Sequence, residues 1–286
     1  MKLLLIGGSG QLGTEIRTRW TNDKIIAPPH DALDLTDDTR IAETLDTVAP
    51  DLVVNCAAFH NVDRCEEEPL RAFELNAVAV DRLARACAER DCTFVTISTD
   101  YVFSGETDRP YTEADVPQPI SAYGTSKFAG ELLVARLEGK AFVVRTCGVY
   151  GRRPSATKGY TFIDRVVAQA KAGEPNRVVS DVVASPTYAG DLADAIRALV
   201  ETKAYGLYHA CNVGPVSWYD FACEALRQAG VDASIEPISS SSWKVAARRP
   251  RYSALANAKL EALGIRMPRW QDGIAAYLRD RVASAL

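Results

Sequence analysis

The chain lacks the features that mark membrane, secreted and nucleic-acid-binding proteins. No apolar run in its 286 residues approaches the length that crosses a bilayer, which argues against a membrane protein. A formal net charge of −4 argues against a nucleic-acid partner, whose binding surface would be basic. The seven cysteines include no C-x-x-C pair, which predicts reduced thiols in a cytoplasmic protein and neither disulfides nor a zinc site.

Short apolar segments alternate with helix-like segments along the first half of the chain. Nearly all residues of these segments are apolar, as expected for strands that are covered by helices on both faces. The alternation predicts an α/β fold with a doubly wound parallel sheet of Rossmann type. The predicted strands are KLLLI, KIIA, DLVVNCAA, TFVTIS, AFVVRT (141–146) and RVVS (177–180).

This alternation breaks down after about residue 150, where glycine, proline and arginine become frequent. The break predicts a smaller C-terminal substrate-binding lobe, lying over the sheet edge where doubly wound folds bind ligands. We expect residues 1–150 and 175–201 to form the dinucleotide-binding domain. Residues 151–174 and 202–286 are expected to form the substrate-binding lobe.

A glycine-rich loop follows the first predicted strand and precedes a helix. Gly7, Gly10 and Gly13 have the spacing G-x-x-G-x-x-G, and Gly8, Gly10 and Gly13 also satisfy G-x-G-x-x-G. Such glycines allow a sharp turn and a close approach of the backbone to a pyrophosphate, which the helix N-terminus then attracts. A plain structural turn is the alternative, but the position between strand and helix favours a dinucleotide site.

The sequence leaves the choice between NADPH and NADH open. An acidic residue at the end of the second strand would hold the ribose 2′-hydroxyl of NADH. Pro28, Pro29 and His30 stand there instead, and Asp31 and Asp34 come slightly later. A 2′-phosphate is therefore not repelled, although no arginine stands there to bind it.

A tyrosine and a lysine are spaced so that they share one face of a predicted helix. Tyr123 and Lys127 are four residues apart. A nearby ammonium favours the phenolate, so we expect it to lower the pKa of the tyrosine. A positioned phenol can then give a proton to an alkoxide that forms on a carbonyl carbon. A packed tyrosine beside a solvated lysine is the alternative interpretation.

Two hydroxyl residues mark the end of the fourth predicted strand. Ser98 and Thr99 stand where the crevice of a doubly wound sheet opens, so a hydroxyl there can donate to a substrate carbonyl. Strand-end hydroxyls often only complete turns. Together with the glycine loop and the Tyr123–Lys127 pair, however, they favour a carbonyl reductase.

At this point the chain resembles the extended short-chain dehydrogenase/reductases, and more closely the dTDP-4-dehydrorhamnose reductase family. The resemblance extends almost from end to end, and its last three motifs are more specific to this family than the general dehydrogenase signature. It rests on GGSGQLG, ALDLTD, NCAAFHNVDRCEEEP, STDYVFSG, YGTSKFAGE, RTCGVYG, SPTYAGDLA, GLYHACN and RPRYSAL.

The resemblance implies a catalytic group in which Tyr123 is the proton donor and Lys127 supports it and holds the nicotinamide ribose. Thr99 would bond the substrate carbonyl. NADPH or NADH would be the cofactor, with Gly10, Gln11 and Leu12 under the pyrophosphate. The other residues implied to contact it are Gly7 in the loop, Asp34 and Leu35 beside the adenine, and Ala57, Ala58 and Phe59 beyond the third strand.

The substrate implied is a nucleotide sugar, reduced at its 4-keto group. Some family members bind Mg²⁺ and dimerise through it, so a homodimer is conceivable, but no local motif supports the metal here. Arg249 would pair with the substrate diphosphate, although a solvated position is the alternative. The residues expected at the substrate are His60, Thr99, Asp100, Tyr101, Gly148 and Arg249.

Departures from the family pattern affect the substrate end. Gly148 stands where the family often has tryptophan, His60 where it often has threonine, and VVAS (182–185) where it often has glutamine and glycine. Trp218 and Trp243 are interpreted as packing residues. We therefore weigh a reductase of a different nucleotide-linked keto sugar against the rhamnose reaction. A third hypothesis is a non-catalytic NADP-binding subunit of the kind that regulates methionine adenosyltransferase.

Overall fold

The structure is a computed structural model, and it describes residues 1–137, 139–153, 159–242 and 245–283. Its central feature is a parallel sheet of six strands in the order β2-β1-β3-β4-β5-β8. The strands are β1 Lys2–Ile6, β2 Lys24–Ile26, β3 Leu52–Asn55, β4 Thr93–Thr99, β5 Ala141–Thr146, β6 Arg177–Val179, β7 Val183–Ala184, β8 Gly206–His209, β9 Val216–Ser217 and β10 Glu236–Ile238. The predicted α/β fold with a doubly wound parallel sheet is confirmed.

Helices cover both faces of this sheet. A π-helical segment, Glu74–Val78, lies between helices Pro69–Phe73 and Ala79–Ala88, so the three form one long helical run. The helices are α1 Gln11–Arg19, α2 Asp38–Val48, α3 Val62–Glu67, α4 Pro69–Phe73, α5 Ala79–Ala88, α6 Ala122–Ala135, α7 Phe162–Lys171, α8 Ala189–Thr202, α9 Trp218–Gln228, α10 Ala258–Ala262 and α11 Trp270–Ala283, with 3₁₀ turns at Asp100–Val102 and Ser240–Ser242.

Two apolar clusters, one on each face, hold the helices to the sheet. Leu5 of β1 packs in one cluster with Ile16 of α1, while Leu4 packs in the other with Leu83 of α5. Neighbouring side chains of a strand point to opposite faces, so both must be apolar when both faces are covered. This explains why the strands read as continuous apolar runs rather than as alternating patterns.

The strand order reverses between β1 and β3, and this reversal creates the place for a ligand. In doubly wound sheets the crevice lies beyond the carboxyl ends of the strands at such a switch point. The loop that contains Gly7 follows β1, and Cys56 follows β3. The topology therefore places the glycine loop at one wall of the crevice.

One predicted strand lies elsewhere than expected. RVVS forms β6, but it pairs with β10 in a separate two-stranded sheet. The sixth strand of the central sheet is β8, from the region assigned to the substrate lobe. An apolar pattern predicts that a segment is extended but not which strand it pairs with, and β8 is only four residues long.

Aromatic packing forms the core of the C-terminal part. Tyr150, Tyr188 and Tyr277 pack together with Phe221 in one buried cluster. Trp218 lies against this cluster, with its ring centroid 4.9 Å from that of Phe162, so its interpretation as a packing residue is confirmed. Trp243 lies outside the described residues. Within the described ranges, none of the helices combines the length and apolarity needed to cross a bilayer.

Leu5→Ala tests the packing of the sheet core. The side chain is fully buried on β1, so its loss leaves a cavity in a closely packed layer. We expect the free energy of unfolding to fall by about 2–5 kcal/mol, measured by equilibrium denaturation. Leu132→Ala is the matched control, since Leu132 is 55% exposed on α6. An equal loss in both variants would contradict the assignment of Leu5 to the core.

Candidate active site

A cleft of about 320 Å³ opens at the carboxyl ends of β1, β3, β4 and β5, at the switch point of the sheet. Its walls combine backbone from the glycine loop with side chains from strand ends and from α6. The residues that line it are Gly10, Gln11, Leu12, Gly13, Cys56, Ala57, Ala58, His60, Val62, Ile97, Ser98, Thr99, Asp100, Tyr101, Tyr123, Lys127, Thr146, Gly148 and Val149.

Most of the residues that the sequence singled out meet in this cleft. Loops that are far apart in the chain come together because parallel strands end at one edge of the sheet. The predicted residues that line the cleft are Gly10, Gln11, Leu12, Gly13, Ala57, Ala58, His60, Ser98, Thr99, Asp100, Tyr101, Tyr123, Lys127 and Gly148. Their individual roles in binding and catalysis stay predictions.

Two residues predicted beside the adenine lie outside the cleft lining. Asp34 is exposed, and its Oδ1 accepts hydrogen bonds from Thr36 N at 2.9 Å and Thr36 Oγ1 at 2.8 Å, which lower the pKa of the carboxyl. Leu35 is buried and packs in the cluster of Leu4 and Leu83. The side chain of Leu35 therefore serves the core.

Phe59 and Arg249 also lie away from the cleft lining. Phe59 is buried, and the guanidinium carbons of Arg64 and Arg71 lie 5.4 and 5.1 Å from the centroid of its ring. Arg249 forms an ion pair with Asp63, with 2.8 Å between Nη2 and Oδ2. Arg249 is therefore ion-paired with Asp63, and the alternative interpretation of a merely solvated side chain does not hold.

The glycine loop owes its shape to close backbone contacts. Gly7 has a φ of 76°, and a Cβ there would lie 2.9 Å from the backbone N of Ala57. A Cβ on Gly13 would lie 2.4 Å from the carbonyl oxygen of Gly7. These two glycines let α1 and the end of β3 approach the turn, so Gly7 shapes the loop without lining the cleft.

The N-terminus of α1 has the properties of an anion site. Gly10 is its N-cap and supplies no side-chain hydrogen bond, and no acidic residue lies in the first turn. The first N–H groups of a helix have no partner inside the helix, and the helix dipole favours a negative charge there. This end of the cleft therefore fits a pyrophosphate.

Tight contacts position α6, which carries Tyr123 and Lys127. Ser121 caps the helix, since its Oγ accepts a hydrogen bond from Gly124 N at 3.2 Å. A Cβ on Gly124 would lie 2.1 Å from the carbonyl oxygen of Tyr101, and one on Gly130 would lie 2.3 Å from that of Asn76. The helix is thus pressed against the 3₁₀ turn after β4 and against the π-helical segment.

The pKa of Tyr123 differs from the expectation. Burial raises it well above its usual value, the charge of Asp100 acts in the same direction, and interaction with the Thr99 hydroxyl opposes both. Lys127 does not contribute to the shift. The prediction that Lys127 makes this phenol more acidic is wrong, because removal of the phenol from water dominates the shift. Tyr123 therefore stays protonated at neutral pH.

Lys127 carries a buried ammonium that faces the cleft. Its side chain is only 4% exposed, and burial lowers its pKa to about 8, although Glu131 and the Cys56 thiol oppose this shift. Among the residues that the structure describes, no carboxylate lies within ion-pair distance of its Nζ. The ammonium thus has unused donors, which suits it to ribose hydroxyls.

Thr99 is anchored by its neighbours in the turn after β4. Its Oγ1 donates to Asp100 Oδ1 at 3.0 Å and accepts from Tyr101 N at 3.2 Å. Burial raises the pKa of Asp100, whereas hydrogen bonds from Ser253, Cys147 and Thr99 lower it. These contacts fix the Thr99 hydroxyl at the wall of the cleft.

The sequence interpretation missed Thr146 at the end of β5. Thr146 lines the cleft and is 5% exposed, and its Oγ1 has no hydrogen-bond partner within the described part of the chain. A buried hydroxyl without a partner is costly unless a ligand satisfies it. Its position at the carboxyl end of the strand next to β4 is the signal that could have identified it.

The cleft fits a dinucleotide by several independent features. The glycine turn leaves room for a pyrophosphate at α1. Farther along the cleft, Thr146 Oγ1 and the Lys127 ammonium have no hydrogen-bond or ion-pair partner within the described part of the chain. Metal ligation has no comparable support, because the described residues contain no group of three or more His, Cys, Asp or Glu placed to hold an ion.

Comparison with known proteins gives matches along nearly the whole chain. The family profile described as RmlD substrate binding domain matches residues 1–282. The spore coat polysaccharide biosynthesis protein SpsK of Bacillus subtilis is 34% identical, over 98% of both chains. The dTDP-4-dehydrorhamnose reductase of Escherichia coli is 33% identical, also over 98% of both chains.

A solved structure of a relative also matches this chain over nearly its whole length. The dTDP-4-dehydrorhamnose reductase of Bacillus anthracis, in complex with NADP, matches with a TM-score of 0.92 and 33% identity. The match covers 98% of this chain and 100% of that one. The resemblance drawn from the motifs is thereby confirmed, and the chain belongs to the dTDP-4-dehydrorhamnose reductase family.

Proposed function

We propose that the protein reduces the 4-keto group of a dTDP-linked deoxyhexulose with NADPH or NADH, converting dTDP-4-dehydro-L-rhamnose to dTDP-L-rhamnose. The observation that carries this proposal is the meeting of Thr99, Tyr123 and Lys127 in one cleft with the glycine-lined start of α1. The names of the Escherichia coli and Bacillus anthracis relatives support the substrate and the reaction.

Binding of the cofactor follows from the groups that line the cleft. The N–H groups at the start of α1 would hold the pyrophosphate, and Lys127 and Thr146 would bond the nicotinamide half. When bound, the reduced nicotinamide supplies the hydride for the carbonyl carbon. The NADP in the Bacillus anthracis relative and the absence of an acidic residue at the end of β2 both favour NADPH.

Tyr123 acts as the acid in this direction of reaction. The carbonyl oxygen becomes negative as the carbon accepts hydride, and the phenol gives it a proton. Burial keeps the phenol protonated beforehand, so the donor is present in its active form at neutral pH. The Thr99 hydroxyl lines the same cleft and would bond the same oxygen.

The substrate end of the cleft would bind the sugar. His60, Tyr101 and Gly148 line this part, and the Tyr101 ring lies edge-on to Tyr123 with 5.8 Å between centroids. Arg249 would have to exchange Asp63 for the diphosphate in order to contact it. The homodimer and the cytoplasmic location stay predictions for this chain.

A reductase of a different dTDP-linked keto sugar is the second candidate. Gly148 has a φ of 51°, and a Cβ there would lie 3.1 Å from the Trp218 ring and 3.3 Å from Pro186. A large side chain at this position would therefore require Trp218 to move. The regulatory-subunit hypothesis is not favoured, since the relatives named above include catalytic reductases over their full lengths.

A panel of dTDP-linked keto sugars separates the two candidates. We expect dTDP-4-dehydro-L-rhamnose with NADPH to give the highest kcat/KM, followed as loss of nicotinamide absorbance. The same panel is run with NADH to determine the cofactor preference. An inert rhamnose precursor together with rapid reduction of another keto sugar would favour the second candidate.

Tyr123→Phe tests the assignment of the proton donor. The variant keeps the ring but loses the hydroxyl, so kcat should fall by about 10²–10⁴-fold. Binding of NADPH, measured by fluorescence, should persist. Tyr205→Phe is the matched control, because Tyr205 lies at the amino end of β8, on the sheet edge opposite the cleft. Unchanged turnover in Tyr123→Phe would exclude this role.

The pH dependence tests the role of Lys127. Its lowered pKa of about 8 means that the ammonium is charged below this pH and loses its proton as the pH rises through it. We therefore expect kcat/KM to decline above about pH 8. Lys127→Arg keeps its charge at any accessible pH and should abolish that decline in whatever activity it retains. A decline that persists in Lys127→Arg would point to another group.

A further inference from the structure

A buried ion pair lies directly beneath the cleft. Glu131 and Arg145 are 6% and 2% exposed. Arg145 Nε donates to Glu131 Oε1 at 2.9 Å, and Nη2 donates to Oε2 at 2.6 Å, which is the bidentate geometry of a strong pair. Ser98 Oγ also donates to Oε1. The carboxylate is therefore held by three donors from two strands.

The residues of this network adjoin the residues that line the cleft. Glu131 lies one helical turn after Lys127 on α6. Ser98 precedes Thr99 on β4, and Arg145 precedes Thr146 on β5. A single carboxylate thus ties the helix that carries the ammonium to the two strand ends that carry the cleft hydroxyls.

His209 of β8 contacts Arg145 and extends the network to a third strand. Its Nδ1 lies 3.1 Å from the carbonyl oxygen of Ala256, which assigns the hydrogen to Nδ1 and leaves Nε2 to accept from Arg145 Nη1 at 3.4 Å. Burial, and then the charge of Arg145, lower the pKa of His209 to about 3. The histidine is therefore neutral and contributes no charge toward Lys127.

Few ionisable groups affect the pKa of Lys127. Glu131 on its own helix and the Cys56 thiol at the end of β3 favour its charged form, whereas burial opposes it. Removal of an ion from water costs several kcal/mol, so a buried ammonium needs compensation. Burial raises the pKa of Cys56 to about 12, which leaves this thiol neutral. Glu131 is then the negative group that offsets the burial of Lys127.

We propose that Glu131 is a positioning residue: its carboxylate, clamped by Arg145 and Ser98, keeps Lys127 charged and aimed into the cleft. The consequence for turnover rests on the proposed function, whereas the effect on the ammonium does not. Arg145 balances the charge of Glu131 through the bidentate pair and fixes the position of the carboxylate.

Glu131→Gln tests the proposal through the pH profile. The amide has nearly the same size but no charge, so Lys127 should lose its proton about one pH unit lower and the decline of kcat/KM should move with it. Glu15→Gln is the matched control. Glu15 is fully buried and is also bound by arginines, Arg19 and Arg152, but acts on α1 and not on Lys127. This control should lose stability without a shift of the profile.

A direct titration of Lys127 separates this proposal from the proposed function. Lysine labelled with ¹³C at Cε is followed by NMR from pH 6 to 11, and the Lys127 signal is assigned by its absence in Lys127→Arg. The midpoint should be lower in Glu131→Gln than in the parent protein and unchanged in Glu15→Gln. This result needs no turnover, so it stands even if every keto sugar is inert.

A second variant covers the case in which Glu131→Gln does not fold because Arg145 is left unpaired. Glu131→Gln combined with Arg145→Met removes both charges, and the Lys127 midpoint should still fall, since Glu131 is the charge that acts on it. An equal midpoint in parent and variants would overturn the proposal. So would a uniform loss of kcat in Glu131→Gln with no shift of its pH dependence.

Discussion

The burial of one ammonium group is the constraint on which the rest of the cleft depends. Lys127 lies on a helix packed too tightly against its neighbours to turn away, since Gly124 and Gly130 leave no room at the helix surface. The charge must therefore be stabilised where it is. The carboxylate of Glu131, one helical turn later, is the group that we propose stabilises it.

Burial affects Tyr123 in a way that a two-residue motif does not reveal. The i, i+4 spacing predicts that the lysine favours a phenolate, but Lys127 does not contribute to the shift, and loss of water around the phenol raises the pKa. The outcome suits an acid that must be protonated before a carbonyl is reduced. The same burial lowers the pKa of Lys127 to about 8. Lys127, and not Tyr123, is therefore the residue of the pair that titrates near neutral pH.

The two parts of the chain contribute differently to the site. Strand ends and α6 supply the polar groups, whereas the C-terminal part supplies packing from Trp218 and pairs Arg249 with Asp63. The residues that distinguish this chain from the family pattern, Gly148 and His60, both lie in the cleft lining. Variation at the substrate end is thus compatible with an unchanged cofactor end.

Five of the six strands of the sheet, the glycine loop and the Tyr123–Lys127 face could be predicted from the residues, because strand alternation, helix periodicity and glycine spacing are local properties. The meeting of the loops could also be predicted, since parallel strands end at one edge. The folded structure was needed to reveal the pairing of β6 and β8, the direction of the Tyr123 pKa shift, and the network of Glu131, Arg145 and Ser98. Each of these depends on contacts between segments that are distant in the sequence. Such contacts decide which groups are removed from water, and no local sequence pattern specifies them.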